Sequence, residues 1–446
     1  MRPFSVRSLP SFRAAIRLPG DKSISHRAAL LSALSSRTTV LHNYPLNNDC
    51  LFTLRVLKQL GIKVAIKRLE GFRADVRITG KGLYGFRPPC SSLYVGESGT
   101  TLRLTLGILA GQDFQARLVA DKSLSVRPMM RVTVPLRMMG AQVDSVCVKR
   151  GSKREEYPPI SIRGSKLKPI AYTLPIASAQ VKSAILLAGL FAAGKTSVIE
   201  PVKTRDHTER MLELFRADIR YAGKKAVVSG ARALVSPGRI YIPGDISSAS
   251  FFMVLATLVP CAEITIENTS LNPSRLGIVK VLKRMGADIR ILMPTKHNFE
   301  PMGTIRVRSR HLKGVRVSKE EIPLLIDELP VLMVAASFAR GKSVFEGIEE
   351  LKVKETDRII SMRENLKKMG AGVEVFRKTG RVAIRITGSK VLHGASVRSF
   401  GDHRTAMSMI VAGLAAEGTT KLDDAGCIDK SFPGFTRMIR AFSVKS

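Results

Sequence analysis

One pattern recurs six times along this chain: an apolar helical stretch, a small polar turn, then a β-like run. It reads LLSALSSRTTVLHN from Leu30, LGILAGQDFQARLVA from Leu106 and LLAGLFAAGKTSVIE from Leu186. It returns as LATLVPCAEITIEN from Leu255, MVAASFARGKSVFEG from Met333 and IVAGLAAEGTTKLDD from Ile410. The turns fall near Arg37, Gly111, Gly194, Cys261, Gly341 and Gly418, roughly 65–85 residues apart. A second pattern, the end of another helix with a strand behind it, reads LKQLGIKV to Val64, LRMMGAQV to Val143, LKRMGADI to Ile289 and LKKMGAGV to Val373. LELFRADI, ending at Ile219, is a degenerate copy. Glycine at these ends suits the left-handed position that closes a helix. Each repeat therefore holds two helices with strands between and after them, an α/β organisation longer in period than the solenoid repeats. No sixth copy of the second pattern is recognisable; a wrap of the chain ends would account for it.

Composition bounds the rest. At 446 residues the chain has room for two or three domains, taking about 150 residues as a typical one. Hydrophobic residues make up 45 %, enough for a large core, so disorder is excluded for most of the chain. Lys and Arg outnumber Asp and Glu by 72 to 36, a net charge of +36. The basic residues are dispersed, and aromatics are only 6 %, so no stripe exists on which bases could stack and no nucleic-acid partner is expected. The charge is either solvated surface or, in part, converges on small anions. Five cysteines lack any C-x-x-C spacing, and the seven histidines lack H-E-x-x-H. No disulfide framework or metal site is expected, and a reduced cytoplasm fits. The apolar runs are shorter than the ~20 residues of a membrane span, so no membrane partner is expected. The first twenty residues carry four Arg and no acid but no apolar segment, so a first strand is expected near the start.

The starts of the six apolar helices are the most unusual stretches. The first, L-P-G-D-K-S-I-S-H-R, puts a cap at Asp21 or Ser23 and Lys22, Ser23 and Arg27 on or near the first turn. Free N–H groups and a partial positive charge make such a turn attractive to phosphate or carboxylate; an ordinary cap with solvated cations would look the same. G-E-S-G-T-T-L-R contributes Gly99 and hydroxyls, and the third start holds Ser178, Gln180 and Lys182. G-D-I-S-S-A-S from Gly244 reads mainly as a cap; I-D-E-L-P brings Asp327, and F-G-D-H-R-T-A-M brings Asp402, His403 and Arg404. Equivalent repeats would aim these positive ends toward one large anion site. L-K-V-K-E-T-D-R, 351–358, and D-K-S-F-P, 429–433, join the list. Gly189-x-x-x-x-Gly194-Lys195-Thr196 matches the P-loop spacing, but a helix precedes it and a strand follows, the reverse of a phosphate-binding loop.

Taken together, P-G-D-K-S-I-S-H-R, G-E-S-G-T-T-L-R, S-L-S-V-R-P-M, S-A-Q, R-D-H-T-E, G-D-I-S-S-A-S, D-E-L-P, K-V-K-E-T-D-R, D-H-R-T-A-M and K-S-F-P, in this order from Pro19 to Pro433, resemble the 5-enolpyruvylshikimate-3-phosphate synthases of the enolpyruvyl transferase family. The resemblance implies a two-domain inside-out α/β barrel of six βαβαββ repeats, three per domain. One domain would comprise 1–20 plus 244–446 and the other 21–243, with the active site in the cleft between them. It implies transfer of the enolpyruvyl group of phosphoenolpyruvate to the 5-hydroxyl of shikimate 3-phosphate, with release of phosphate, by addition and elimination through a tetrahedral intermediate. This is a step of chorismate and aromatic amino-acid biosynthesis. No metal or organic cofactor is implied, and a cytoplasmic monomer is expected, closing on its substrates.

By motif match, Lys22, Gly99, Arg127, Gln180, Arg358, Arg404 and Lys430 fall on phosphoenolpyruvate. Ser23, Arg27, Ser178, Gln180, Arg205, Asp327 and Lys354 fall on shikimate 3-phosphate. Asp327 would take or orient the hydroxyl proton and Glu355 would exchange a proton at the methylene carbon, with Lys22 able to share proton transfer. Glu97, Ala179, Thr204, Glu350 and Ser431 depart from the family pattern. Gly99 stands where some herbicide-tolerant members carry Ala, so glyphosate is expected to compete with phosphoenolpyruvate. The rival enolpyruvyl transferase acting on UDP-N-acetylglucosamine carries a reactive Cys, and the corresponding A-D-K-S-L-S-V-R-P has none. A non-catalytic basic binding protein would explain the charge but not Asp327 and Glu355 inside matched motifs.

Overall fold

A computed structural model describes residues 1–443 apart from 152, 298, 379 and 390. The six apolar stretches form leading helices: Lys22–Leu34, Gly99–Leu109, Ala179–Gly189, Ile246–Leu258, Leu329–Ser337 and His403–Ala415. Each is followed by a strand, then a trailing helix. The trailing helices are Asn48–Gln59, Met130–Met138, His207–Leu214, Gly277–Arg284, Arg358–Lys368 and Phe435–Ser443. A hairpin completes each of the first five repeats.

Sheet order repeats as well. In the fifth repeat, Arg316–Val317 pairs in parallel with Lys342–Glu346. Lys342–Glu346 then pairs antiparallel with Arg381–Thr387, which pairs with Gly372–Lys378. The second and third repeats follow the same order. The first and fourth exchange their leading strands. Arg13–Arg17, just before the first leading helix in the chain, pairs with Glu263–Ser270 of the fourth repeat. Arg239–Tyr241, just before the fourth leading helix, pairs with Thr38–Pro45 of the first. The chain therefore runs through two compact domains. A split domain holds Met1–Pro19, Pro243–Lys296 and Pro301–Ser446; an inserted domain holds Gly20–Ile242 with His297–Glu300. The sixth sheet has three strands, and Phe4–Arg7 from the chain start pairs with Thr419–Leu422 to complete it.

Helices lie inside and sheets outside. Ile246 to Thr257 are all buried on the fourth leading helix, as a helix apolar on every side must be. In the split domain the three leading helices pack on one another, and in the inserted domain Gly99–Leu109 packs on both Lys22–Leu34 and Ala179–Gly189. Each buried Leu, Ile or Phe contributes about 1.5–3 kcal/mol; cutting the fully buried Phe252 to Ala would cost about 3–5 kcal/mol. Strands bury alternate residues, Ala116 and Leu118 in Gln115–Val119.

The helix ends follow the sequence pattern. Gly61, Gly140, Gly286 and Gly370 take φ of 82°, 109°, 99° and 98°. In each copy the N–H two residues past the last helical turn bonds back to a Leu carbonyl, as Ile62 does to Leu57 and Ala371 to Leu366. Among the described residues no helix is long and apolar enough to cross a membrane. None of them forms a group of three or more His, Cys, Asp or Glu that could hold a metal ion.

Candidate functional site

Capping places the side chains. In the inserted domain Asp21, rather than Ser23, caps the first leading helix by accepting the Ile24 N–H at 2.9 Å. Ser23 is thereby free to accept from Arg205 Nη1 at 3.4 Å. Arg27, one turn on, is buried and fully engaged. It donates to the Ser23 carbonyl at 2.8 Å, to Thr208 Oγ1 at 2.6 Å and to Ser183 Oγ at 2.7 Å. Lys22 points elsewhere, its ammonium 2.9 Å from Asp49 Oδ2.

A second group forms around Arg103. Ser98 caps Gly99–Leu109, and Arg103 Nη1 donates to the Gly99 carbonyl at 3.4 Å and to Gln180 Oε1 at 3.0 Å. Its Nη2 reaches the Pro128 carbonyl at 3.3 Å, beside Arg127. A Cβ on Gly99 would lie 2.6 Å from Arg103 Nη1 and 3.3 Å from Arg127 Nη1, so a side chain there would have to displace the ends of these arginines. Gln180 also donates to Thr100 Oγ1 at 2.9 Å, while Ser178 caps the same helix. Hydroxyls tie the two groups together. His26 Nδ1 lies 2.6 Å from Thr53 Oγ1, which lies 2.7 Å from Thr101 Oγ1, in turn 2.8 Å from Ser98 Oγ. Burial, then the charges of Lys22 and Arg27, push the His26 pKa well below 6.5, keeping the ring neutral.

The split domain gathers carboxylates. Arg358, the first residue of its trailing helix, is 1 % exposed and forms the hub. Its Nη2 lies 2.6 Å from Glu355 Oε2, its Nε 2.8 Å from Asp402 Oδ2 and its Nη1 3.7 Å from Asp327 Oδ1. Burial works against this charge, but Asp402, Glu355 and Asp327 outweigh it and raise the pKa above the usual arginine value. Asp402 also caps the sixth leading helix through the Arg404 N–H at 2.7 Å. Arg404 Nη1 donates to the Asp327 carbonyl at 2.8 Å, and its Nε lies 3.8 Å from Asp327 Oδ1. Lys354 precedes Glu355, half-buried. Lys430 Nζ donates to the Gly401 carbonyl at 3.1 Å, at the turn before Asp402. Glu328, beside Asp327, is fully buried and bonded to Ser247 Oγ and, at 3.3 Å, to Arg275 Nη2.

The expected residues therefore cluster within each domain: Ser23 with Arg27 and Arg205, Gly99 with Arg127 and Gln180, and Asp327 with Glu355, Arg358 and Arg404. Sequence reasoning missed Arg103, Asp49 and the hub role of Asp402. Arg103 carried a signal, since four residues past Gly99 places it over the same helical turn. Asp49 carried none, because it reaches Lys22 from a different helix. The P-loop-like run spans the end of helix Ala179–Gly189 and the start of strand Lys195–Ile199, with no helix N-terminus behind it.

The chain is similar to known proteins along nearly its whole length. A 3-phosphoshikimate 1-carboxyvinyltransferase of Desulforamulus reducens is 44 % identical over 441 residues, covering 99 % of both chains. One from Geobacillus kaustophilus is 46 % identical and covers 97 % of this chain and 98 % of its own. Among solved structures, an EPSP synthase of Acinetobacter baumannii superposes with a TM-score of 0.85 at 40 % identity, covering 99 % of this chain and 98 % of its own. The family model for EPSP synthase (3-phosphoshikimate 1-carboxyvinyltransferase) matches residues 7–439, and with these repeats, caps and carboxylates in place the chain belongs to the EPSP synthase family.

Proposed function

We propose that the chain transfers the enolpyruvyl group of phosphoenolpyruvate to the 5-hydroxyl of shikimate 3-phosphate, yielding 5-enolpyruvylshikimate 3-phosphate and inorganic phosphate. Family membership supports this, and one observation carries the chemistry: Asp327 and Glu355 share the buried Arg358 guanidinium. The reaction needs two proton transfers at two atoms. In the addition, the hydroxyl oxygen bonds C2 of phosphoenolpyruvate, its proton leaves, and C3 gains a proton. In the elimination, the bond from C2 to the phosphate oxygen breaks, C3 loses a proton and the double bond re-forms. Asp327 takes the hydroxyl proton, and Glu355 delivers and recovers the proton at C3.

Both substrates are anionic and must be held against mutual repulsion. Lys22, Gly99, Arg127, Gln180, Arg404 and Lys430 receive phosphoenolpyruvate, with Arg358 orienting the carboxylates. Ser23, Arg27, Ser178, Arg205 and Lys354 receive shikimate 3-phosphate. This reading requires the clusters of the two domains to act on one substrate pair in a common cleft, and we read the protein as a cytoplasmic monomer. The test is inorganic phosphate release from purified protein given phosphoenolpyruvate with shikimate 3-phosphate, each alone, or with UDP-N-acetylglucosamine. Release is expected only for the first pair. Release with the nucleotide sugar would favour the rival transferase, and none with any pair would favour a binding protein.

A further inference from the structure

One buried ion cluster has no part in that chemistry. Lys182 lies on Ala179–Gly189, among Val181, Ala184 and Ile185, with its side chain 1 % exposed. Its ammonium lies 2.8 Å from Glu200 Oε2 and 2.5 Å from Glu209 Oε1, both buried. A cluster like this adds little net stability over apolar packing, so its value must lie in what it holds. Glu200 directly follows the strand Lys195–Ile199, and Glu209 lies on the first turn of His207–Leu214. Between them runs the segment carrying Arg205. Glu200 Oε1 accepts the Thr204 N–H at 3.2 Å and also the Thr204 hydroxyl. Next to Glu209, Thr208 Oγ1 accepts from Arg27. Burial opposes the charge on Lys182, but Glu209 and Glu200 outweigh it and keep it protonated.

We propose that Lys182 is a positioning residue for shikimate 3-phosphate: by pinning Glu200 and Glu209 it fixes segment 200–209 and so aims Arg205 at the substrate. The proposal rests on the substrate assignment of Arg205 made above. Its route is short and entirely within the inserted domain, from Nζ to Glu200, to Thr204, to the adjoining Arg205.

A double-mutant cycle read by phosphate release tests it. Lys182→Met is expected to raise KM for shikimate 3-phosphate about tenfold, as a misaimed contact does, leaving kcat and KM for phosphoenolpyruvate unchanged. In an Arg205→Met background, Lys182→Met is expected to add nothing further, because the two act on one contact. A lowered melting temperature with unchanged KM, an equal rise in both KM values, or independent effects in the cycle would overturn the proposal. Since Lys182→Met strands two buried carboxylates, Thr204→Val provides a milder cut that leaves the ion cluster intact. It is expected to raise the same KM by about threefold, and an unchanged KM would overturn the link. If Arg205→Met itself leaves KM for shikimate 3-phosphate unchanged, the assignment of Arg205 has failed. Absence of phosphate release from the wild type would reject the activity.

Discussion

Two groups of arginines, one in each domain, hold their cations differently. Arg27 and Arg103 in the inserted domain donate to hydroxyls, carbonyls and an amide oxygen, from Thr208, Ser183, Ser23, Gly99, Gln180 and Pro128. Arg358 in the split domain faces Asp327, Glu355 and Asp402. Hydroxyl and carbonyl acceptors hold a guanidinium without neutralising its charge. One laced with carboxylates cancels its own field but fixes acids and bases in place. Under the proposed function both domains hold anions, and the split domain adds the carboxylates that would move protons.

Glu355→Gln challenges that division most severely. Turnover should fall by about 10²–10⁴, with affinity for shikimate 3-phosphate nearly unchanged, as rapid-quench and equilibrium-binding measurements can separate. A near-normal rate would remove Glu355 from proton handling. Gly99→Ala probes the other side. A methyl there displaces the ends of Arg103 and Arg127, so steady-state kinetics should show KM for phosphoenolpyruvate rising, by up to about tenfold. Competition by glyphosate should weaken as well, and an unaffected KM would separate the Arg103 group from that substrate.

A third, smaller effect reports the burial of His26, to which the charges of Lys22 and Arg27 add. His26 is neutral when folded but takes a proton near pH 6.5 when unfolded. Unfolding is therefore favoured increasingly as pH falls below about 6.5, by at most about 1.4 kcal/mol per pH unit. His26→Gln should flatten this part of a melting-temperature profile; parallel profiles for the two proteins would deny that the buried ring bears this cost. Smallest is a test away from both clusters. Arg216 holds a helix-end position at φ 59° that glycine fills in the other copies, so Arg216→Gly should stabilise by under about 1 kcal/mol in chemical denaturation. A loss of stability would mean that the side chain repays its strain.

Those helix ends show what the sequence could and could not disclose. LELFRADI was legible as a degenerate copy because Arg216 and Ala217 make the same closing bonds, to Glu213 and Leu212. The sixth trailing helix, Phe435–Ser443, was not recognised. Its run FTRMIRAFS carries no glycine stop like those of the other copies, and the third strand of its sheet comes from Phe4–Arg7. The exchange of Arg13–Arg17 with Arg239–Tyr241 leaves no local mark either, since both strands would read alike in either partnership. Site residues inside repeated helix starts were legible by position and motif. Partners fixed by tertiary packing were not: Asp49 for Lys22, and the buried pair Glu200 and Glu209 for Lys182.

The most direct test is a crystal structure with shikimate 3-phosphate and glyphosate bound. The account predicts both anions in one cavity, with Lys22, Arg127 and Arg205 contacting them from the inserted domain and Arg404 and Lys430 from the split domain. Ligands bound to one domain alone, with the other cluster facing solvent, would contradict it.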